Sequence, residues 1–275
     1  MGNWIETYRG AASPWECDVT EHFTLAFYFD RIAMAEASLA QELGLVDRLR
    51  VGGFTRRYDV RLAHELRAGS AFHIESALIG VDGGPRFGHR VVDSISGEVA
   101  TWFDVHWDGV DATLPEAWVA AWNGPTFETR SEPTDLARLI PSMAGRVQTV
   151  ELDEFGRMGL AGVVHKFSDA AVQFGAAIGL TADYIKTARR SYSAFELRLR
   201  IRRFPGLGET YRIDSGLAHL GNSSLRYLHL MRDGAGQEIA RVDRFGVQLD
   251  LDTRRPASVA PKLRERAQRL LLPMA

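Results

Sequence analysis

Asp18 and His22, with three residues between them in ECDVTEHF, stand immediately ahead of a long apolar helical pattern. A carboxylate and an imidazole at that spacing can move a proton together, the carboxylate as base and the imidazole as its orienting partner. An Asp just before a helix is also what any helix N-terminus favours, so the pair alone leaves cap and chemistry both open. A second carboxylate, Glu36, lies within the apolar stripe of the helix that follows. There it must be paired, protonated or turned toward a pocket, because burying it alone is costly. Cys17, beside Asp18, is tied to no downstream His by a recognisable pattern and reads as a packed small residue. His64, His73, His89 and His106 scatter over expected strands without metal-ligand spacing, so no metal is expected.

The elements that must position these groups occur twice. Residues 146–180 echo the opening stretch without a gap: Asp18 falls on Asp153, Ala35 on Ala170 and Gly44 on Gly179, at an offset of 135. RAGSAFHIES (67–76) echoes GLGETYRIDS (206–215) at 139, and GEVA (97–100) echoes QEIA (237–240) at 140. An offset that grows in small steps marks a duplicated unit whose loops have drifted. The expected boundaries are 1–110 and 146–275, joined by a connection over 111–145 rich in Pro, Trp, Ala and Thr. Each copy reads as a short strand (Trp4–Arg9; Val147–Leu152), a turn carrying the Asp, a helix and four extended stretches. These stretches are 53–63, 71–82, 86–94 and 98–108, then 191–203, 210–220, 223–232 and 238–250. In SAFELRLRIRRF the strand period of two sets Phe195, Leu197, Leu199 and Ile201 on one face and Arg198, Arg200 and Arg202 on the other. Gly83-Gly84, Gly221-Asn222 and Asp233-Gly234 supply hairpin turns, so neighbouring strands should be antiparallel, apart from the first. On the helices, Leu25, Phe29, Ile32, Leu39 and Leu43 form a stripe matched by Leu160, Val164, Phe167, Phe174 and Ile178. Ala171 stands where the first copy has Glu36. The fold class is α+β.

The 275 residues are 45% hydrophobic and 25% charged, with a net charge of −2, which gives no pull toward nucleic acid or an anionic membrane. One cysteine, no signal-peptide pattern and no long apolar run lead to a cytoplasmic expectation.

The strand, the Asp turn, the long helix and the wrapped antiparallel sheet resemble the hotdog fold, in particular the 4-hydroxybenzoyl-CoA thioesterase-like family. Asp18 and His22 match the Asp and His of that family's turn, with Glu21 where Gly is usual and Thr24 where Asn is common. In the second copy Asp153 and Gly156 match, while Arg157 replaces the His and Gly159 the Asn. The ending VQLDLDTRRPASVAPKLRERA (247–267) resembles the last strand and tail of such proteins. The resemblance implies two tandem hotdogs forming an internal pseudo-dimer, and hydrolysis of an acyl-CoA or acyl-carrier-protein thioester. Asp18 would be general base or nucleophile, His22 its orienting partner, and the backbone amides of Thr24 and Leu25 the polarising donors. Asp153 is a second-site or capping candidate, and Glu36 a helix-borne alternative, as in some hotdog thioesterases. Arg198, Arg200 and Arg202 could grip coenzyme A phosphates, with a solvated strand face as the plainer reading. Coenzyme A enters only as part of the substrate, no cofactor is expected, and a homo-oligomer of the double unit stays open. Phe23, Phe27, Tyr28 and Trp102 hint at an aromatic pocket, though such positions usually form core. The alternatives are a non-catalytic acyl-thioester binding protein and a hotdog hydratase or dehydratase. The hydratase is disfavoured because its motif has four residues before a His-Pro.

Overall fold

A computed structural model describes residues 3–18, 21–110 and 112–275. The first half runs β1 (Ile5–Ala11), α1 (Leu25–Glu42), α2 (Val46–Val51), β2 (Thr55–Leu62), β3 (Ala71–Gly80), β4 (Arg86–Asp93) and β5 (Val99–Asp108). The second half runs β6 (Ile140–Arg146), α3 (Leu160–Ile178), α4 (Ala182–Ala188), β7 (Arg190–Ile201), β8 (Thr210–Leu220), β9 (Ser224–Asp233) and β10 (Glu238–Asp250). The short β11 (Arg255–Pro256) and α5 (Pro261–Arg269) follow.

The strands form a single sheet in the order β1-β3-β4-β5-β2-β7-β10-β9-β8-β6, with β11 paired to β10. Either side of the β2–β7 seam, the two halves of that order are mirror copies, which is what a pseudo-twofold axis through the seam requires. At the seam Asp59 lies opposite Arg198, and the two side chains are ion-paired at 2.5 Å. The two tandem hotdogs expected from the sequence are therefore fused through one continuous sheet.

Apolar positions explain the layering. Phe29, Ile32, Leu39, Phe167, Phe174 and Ile178 are all buried, as the 3.6-residue stripes predict. The helices lie side by side on one face of the sheet, where the Phe27 ring meets the edge of His165 at 5.1 Å between centroids. Tyr58, Val60, Phe103 and Val105 rise to them from β2 and β5, and Leu197, Leu199, Ile201 and Val242 from β7 and β10.

A polar network recurs inside both halves. The Thr7 hydroxyl meets Ser76 Oγ at 2.6 Å, and Ser76 Oγ meets His89 Nδ1 at 2.6 Å. In the second half Ser142, Ser215 and His229 repeat it at 2.6 and 2.6 Å. Both histidines are fully buried, and burial holds each ring down to a pKa of about 3, so both stay neutral.

Three expectations about the fold are corrected. The opening strand of the second half is Ile140–Arg146, inside the stretch assigned to the connection, while 147–152 holds only a short 3-10 turn over Thr149–Glu151. The strand IPSMAGR lacks apolar alternation, which hid it. β1 is antiparallel to β3 like every other neighbour, because the long crossover through α1 reverses its direction relative to β3. A bulge at Phe245/Gly246 breaks the β7 alternation, so Phe195 leaves the core and packs edge-on against Phe245. Arg198, Arg200 and Arg202 lie on the sheet face away from the helices, where Arg198 also donates to the Glu128 carbonyl and Arg202 pairs with Glu238.

The connection crosses that outer face. Arg130 bonds Glu196 at 2.5 Å, Ser131 accepts from Arg226, and Glu132 pairs with Arg241. Among the described residues no helix is long and apolar enough to cross a membrane.

Candidate active site

The two Asp turns are built alike. In each, the backbone N–H of the residue before the helix donates to the carbonyl of a buried or half-buried Glu, Thr24 to Glu16 and Gly159 to Glu151, both at 2.9 Å. Each Glu is then held by a cation on the helix, Glu16 by Arg31 and Glu151 by Lys166. Asp153 Oδ1 accepts the N–H groups of Phe155 at 2.9 Å and Arg157 at 3.0 Å. Asp18 Oδ1 accepts the N–H of His22 at 3.2 Å. Neither Asp caps the helix: the cap positions are Thr24 and Gly159, and neither supplies a side-chain cap bond. The Asp side chains instead close the turns that precede them, an Asx-type role. The turn requires a left-handed residue at its fourth position. Gly156 supplies it at φ 75°, whereas Glu21 adopts φ 65° with a side chain.

The surroundings differ. Asp153 borders a cleft of about 540 Å³ between the repeats, together with Glu36 from α1, Arg56 from β2, and Leu160, Ala161 and Gly162 from the first turn of α3. That volume lies in the usual range for a small-molecule site. Glu36 is 2% exposed and is held by the Tyr58 hydroxyl, donating to Oε2 at 3.0 Å, and by the Trp107 indole N–H, donating to Oε1. The burial that the apolar stripe demanded is thus satisfied by two donors and a cleft. Burial and the facing Glu36 carboxylate drive the Tyr58 hydroxyl far above its ordinary pKa, so it remains a donor. Burial opposes the charge on Arg56, but Tyr58, Glu36 and Asp153 outweigh it and raise its pKa. Arg157, which replaces the expected His, donates to the Leu49 carbonyl at 3.0 Å and sits 3.6 Å from Asp153 Oδ2.

At the corresponding place in the first repeat, Asp18 is exposed. His22 Nε2 lies 2.9 Å from Glu65, and both are engaged by Arg254 from the turn between β10 and β11. The helix facing that turn carries Ala171 in place of Glu36. The sequence-derived pair therefore lies in a surface ion cluster, and Glu36 and Asp153, from different repeats, share a cleft. The amide of Thr24 is occupied by the Glu16 carbonyl, which removes it as a donor to substrate. Leu25 opens the first turn of α1 next to Phe23 and Phe27, whose rings stack at 6.2 Å. Phe23 and Tyr28 are core, while Trp102 packs on the outer face against Trp4 and Trp122. Among the described residues no cluster of His, Cys, Asp and Glu is arranged to hold a metal ion. Tyr58, Trp107 and Arg56 were missed by sequence reasoning, since nothing in their spacing links them to Glu36.

Residues 147–267 match the model of the thioesterase-like superfamily. That stretch, under half of the chain, spans most of the second repeat and is similar to the superfamily. The whole chain shares the double-hotdog fold with an acyl-ACP thioesterase from Bacteroides thetaiotaomicron, at 10% identity and a TM-score of 0.66, over 87% of this chain and 96% of that one. The 12:0-ACP thioesterase from Umbellularia californica superposes with a TM-score of 0.61 at 13% identity, over 89% and 94% of the two chains. No curated protein matches the sequence significantly. In this double hotdog, the first turn of α3 opens directly on the cleft. Its early N–H groups lack intrahelical partners, and glycine at the cap offers no side chain to satisfy them. Together with the positive end of the helix dipole they suit a developing oxyanion.

Proposed function

We propose that the protein hydrolyses an acyl thioester, carried on coenzyme A or an acyl carrier protein, in the cleft between its repeats, and that it does so in the cytosol. The thioester carbonyl oxygen points at the first turn of α3. Glu36 takes a proton from a water molecule that attacks the carbonyl carbon; the carbon–sulfur bond then breaks, and Glu36 returns that proton to the departing sulfur, releasing thiol and carboxylic acid. Asp153 holds the turn before α3 with one oxygen and lines the cleft beside the attacking water. A thioester is already activated, so a positioned base and oxyanion donors are the main requirements. The observation that carries this reading is the placement of Glu36: a 2%-exposed carboxylate on a cleft wall, oriented by two donors and facing an uncapped helix start. Two fixed donors pre-orient the base, which is how precise placement contributes to rate. The test is incubation with a panel of acyl-CoA and acyl-ACP thioesters and a free-thiol reagent. Thiol release is expected; saturable binding without release would make the protein an acyl-thioester binder instead.

A further inference from the structure

Arg56 is a buried cation of the cleft with no direct ion-pair partner among the described residues. It is 8% exposed, yet its guanidinium makes no ion pair within 4.0 Å among the described residues. It is stacked instead between aromatic rings, 4.9 Å from the centroid of Phe204, 5.2 Å from Phe54 and 5.5 Å from Trp107. The nearby carboxylates are already served: Glu36 by Tyr58 and Trp107, and Asp153 by two backbone N–H groups and Arg157. Arg56 also lines a smaller crevice of about 200 Å³ that adjoins the cleft, shares Arg157 and Phe204 with it, and has no carboxylate in its wall. Glu36 and Asp153 offset the buried charge from a distance, but neither engages the guanidinium directly, and its rigid fork fits a pair of anionic oxygens. Stacking on three rings holds that fork in place, and the Tyr58 hydroxyl engages only part of its five N–H donors.

We propose that Arg56 is the anion receptor of the cleft. It engages an anionic oxygen group carried by the thioester, either a carboxylate at the far end of the acyl group or a phosphate of the carrier. This inference rests on the reading of the cleft as a thioester hydrolase. Four thioesters separate the two sources: hexanoyl and adipoyl groups, each attached to coenzyme A and to N-acetylcysteamine. Adipoyl adds a carboxylate to the six-carbon chain, and N-acetylcysteamine removes the phosphates. For Arg56→Gln, the KM increase should be about tenfold larger for thioesters that carry the engaged anion than for hexanoyl-N-acetylcysteamine, which carries neither. Arg56→Lys, which keeps the charge and loses the fork, should fall between.

A penalty that follows the acyl carboxylate on both carriers identifies the first source; one that follows coenzyme A with both acyl groups identifies the second. An equal change for all four thioesters, or none, overturns the inference. If the wild-type protein releases thiol from none of them, the hydrolase reading fails. The receptor is then judged by calorimetry with free adipate and free coenzyme A. Binding lost in Arg56→Gln upholds it, and binding unchanged or absent in the wild type overturns it. Thermal unfolding of each variant checks the fold; if Arg56→Gln does not fold, the comparison is made on Arg56→Lys.

Discussion

The two Asp turns have the same backbone and different fates. Each rests on a Glu–cation pair, closes through its Asp, and leads into a long helix without a side-chain cap. Around Asp153 the helix of the other repeat contributes Glu36, and a cleft opens. Around Asp18 the facing helix contributes Ala171, and Arg254 and Glu65 gather at His22. At the strand offset of 139, Tyr58 falls on Leu197, so one of the two donors that hold Glu36 is also missing from the second repeat. The turn is thus frame, and its chemistry depends on what the opposite repeat places against it. A motif search in one repeat therefore selects the turn with the better sequence match, which here is the wrong side of the molecule for a shared cleft.

That comparison can be broken first through the part the repeats have in common. His89 and His229 are held neutral at a pKa of about 3, against an ordinary value of 6.5. A depressed folded-state pKa means that the unfolded chain binds the extra proton. The stability these rings contribute is present above pH 6.5 and is lost as pH falls from there toward 3. With two such groups, a loss on the order of several kcal/mol is expected between pH 6.5 and 4, measured by denaturant midpoints. His89→Gln and His229→Gln should each remove about half of that pH dependence. Unequal effects would show that the interior networks are not equivalent.

The next effects concern the cleft. Glu36→Gln keeps an acceptor for Tyr58 or Trp107 but cannot act as a base, so kcat for thiol release should fall by on the order of 10²-fold or more. A wild-type rate in this variant removes Glu36 from the chemistry. Asp153→Asn should lower kcat by about tenfold, since the turn survives and only the charge is lost. Asp18→Asn should stay within about twofold of wild type, because a surface ion cluster does not touch the substrate. Reversed effects at the two positions would move the working site to the first repeat. The smallest effect tests the turns themselves. Glu21→Gly relieves a left-handed residue that Gly156 occupies freely, and should stabilise the fold by up to ~1 kcal/mol without changing activity. A drop in the unfolding midpoint would show that the Glu21 side chain has a role the turn geometry does not explain.

Much of the frame was legible in the sequence because it is local and periodic. The 135 offset across the Asp turns, the helix stripes and the hairpin glycines each depend on residues close together in the chain. β6 escaped because Pro141, Ser142 and Gly145 give it neither alternation nor apolar content. The cleft escaped for a different reason. Tyr58 and Trp107 reach Glu36 over 22 and 71 residues, and Asp153 comes from the other repeat. Such partners are set by strand register and by the seam, which local spacing does not encode. Glu36 itself was visible as an exception within its apolar stripe, and that exception pointed into the cleft where the Asp–His pair did not.

The β2–β7 seam also governs how the chain can exist. Two separate five-stranded sheets would present four open edges; the fused sheet has its two ends at β1 and β6, because β2 and β7 cover one another. An unpaired edge strand is a template for pairing with any other chain. Each repeat released alone would expose a strand of mixed charged and apolar residues, and its nearest available complement would be another copy of itself. Covalent fusion supplies that complement within the same molecule and lets the two sides of the seam carry different residues. Glu36 and Ala171 can diverge for this reason, whereas an assembly of two identical chains would have to carry the same residue at both positions.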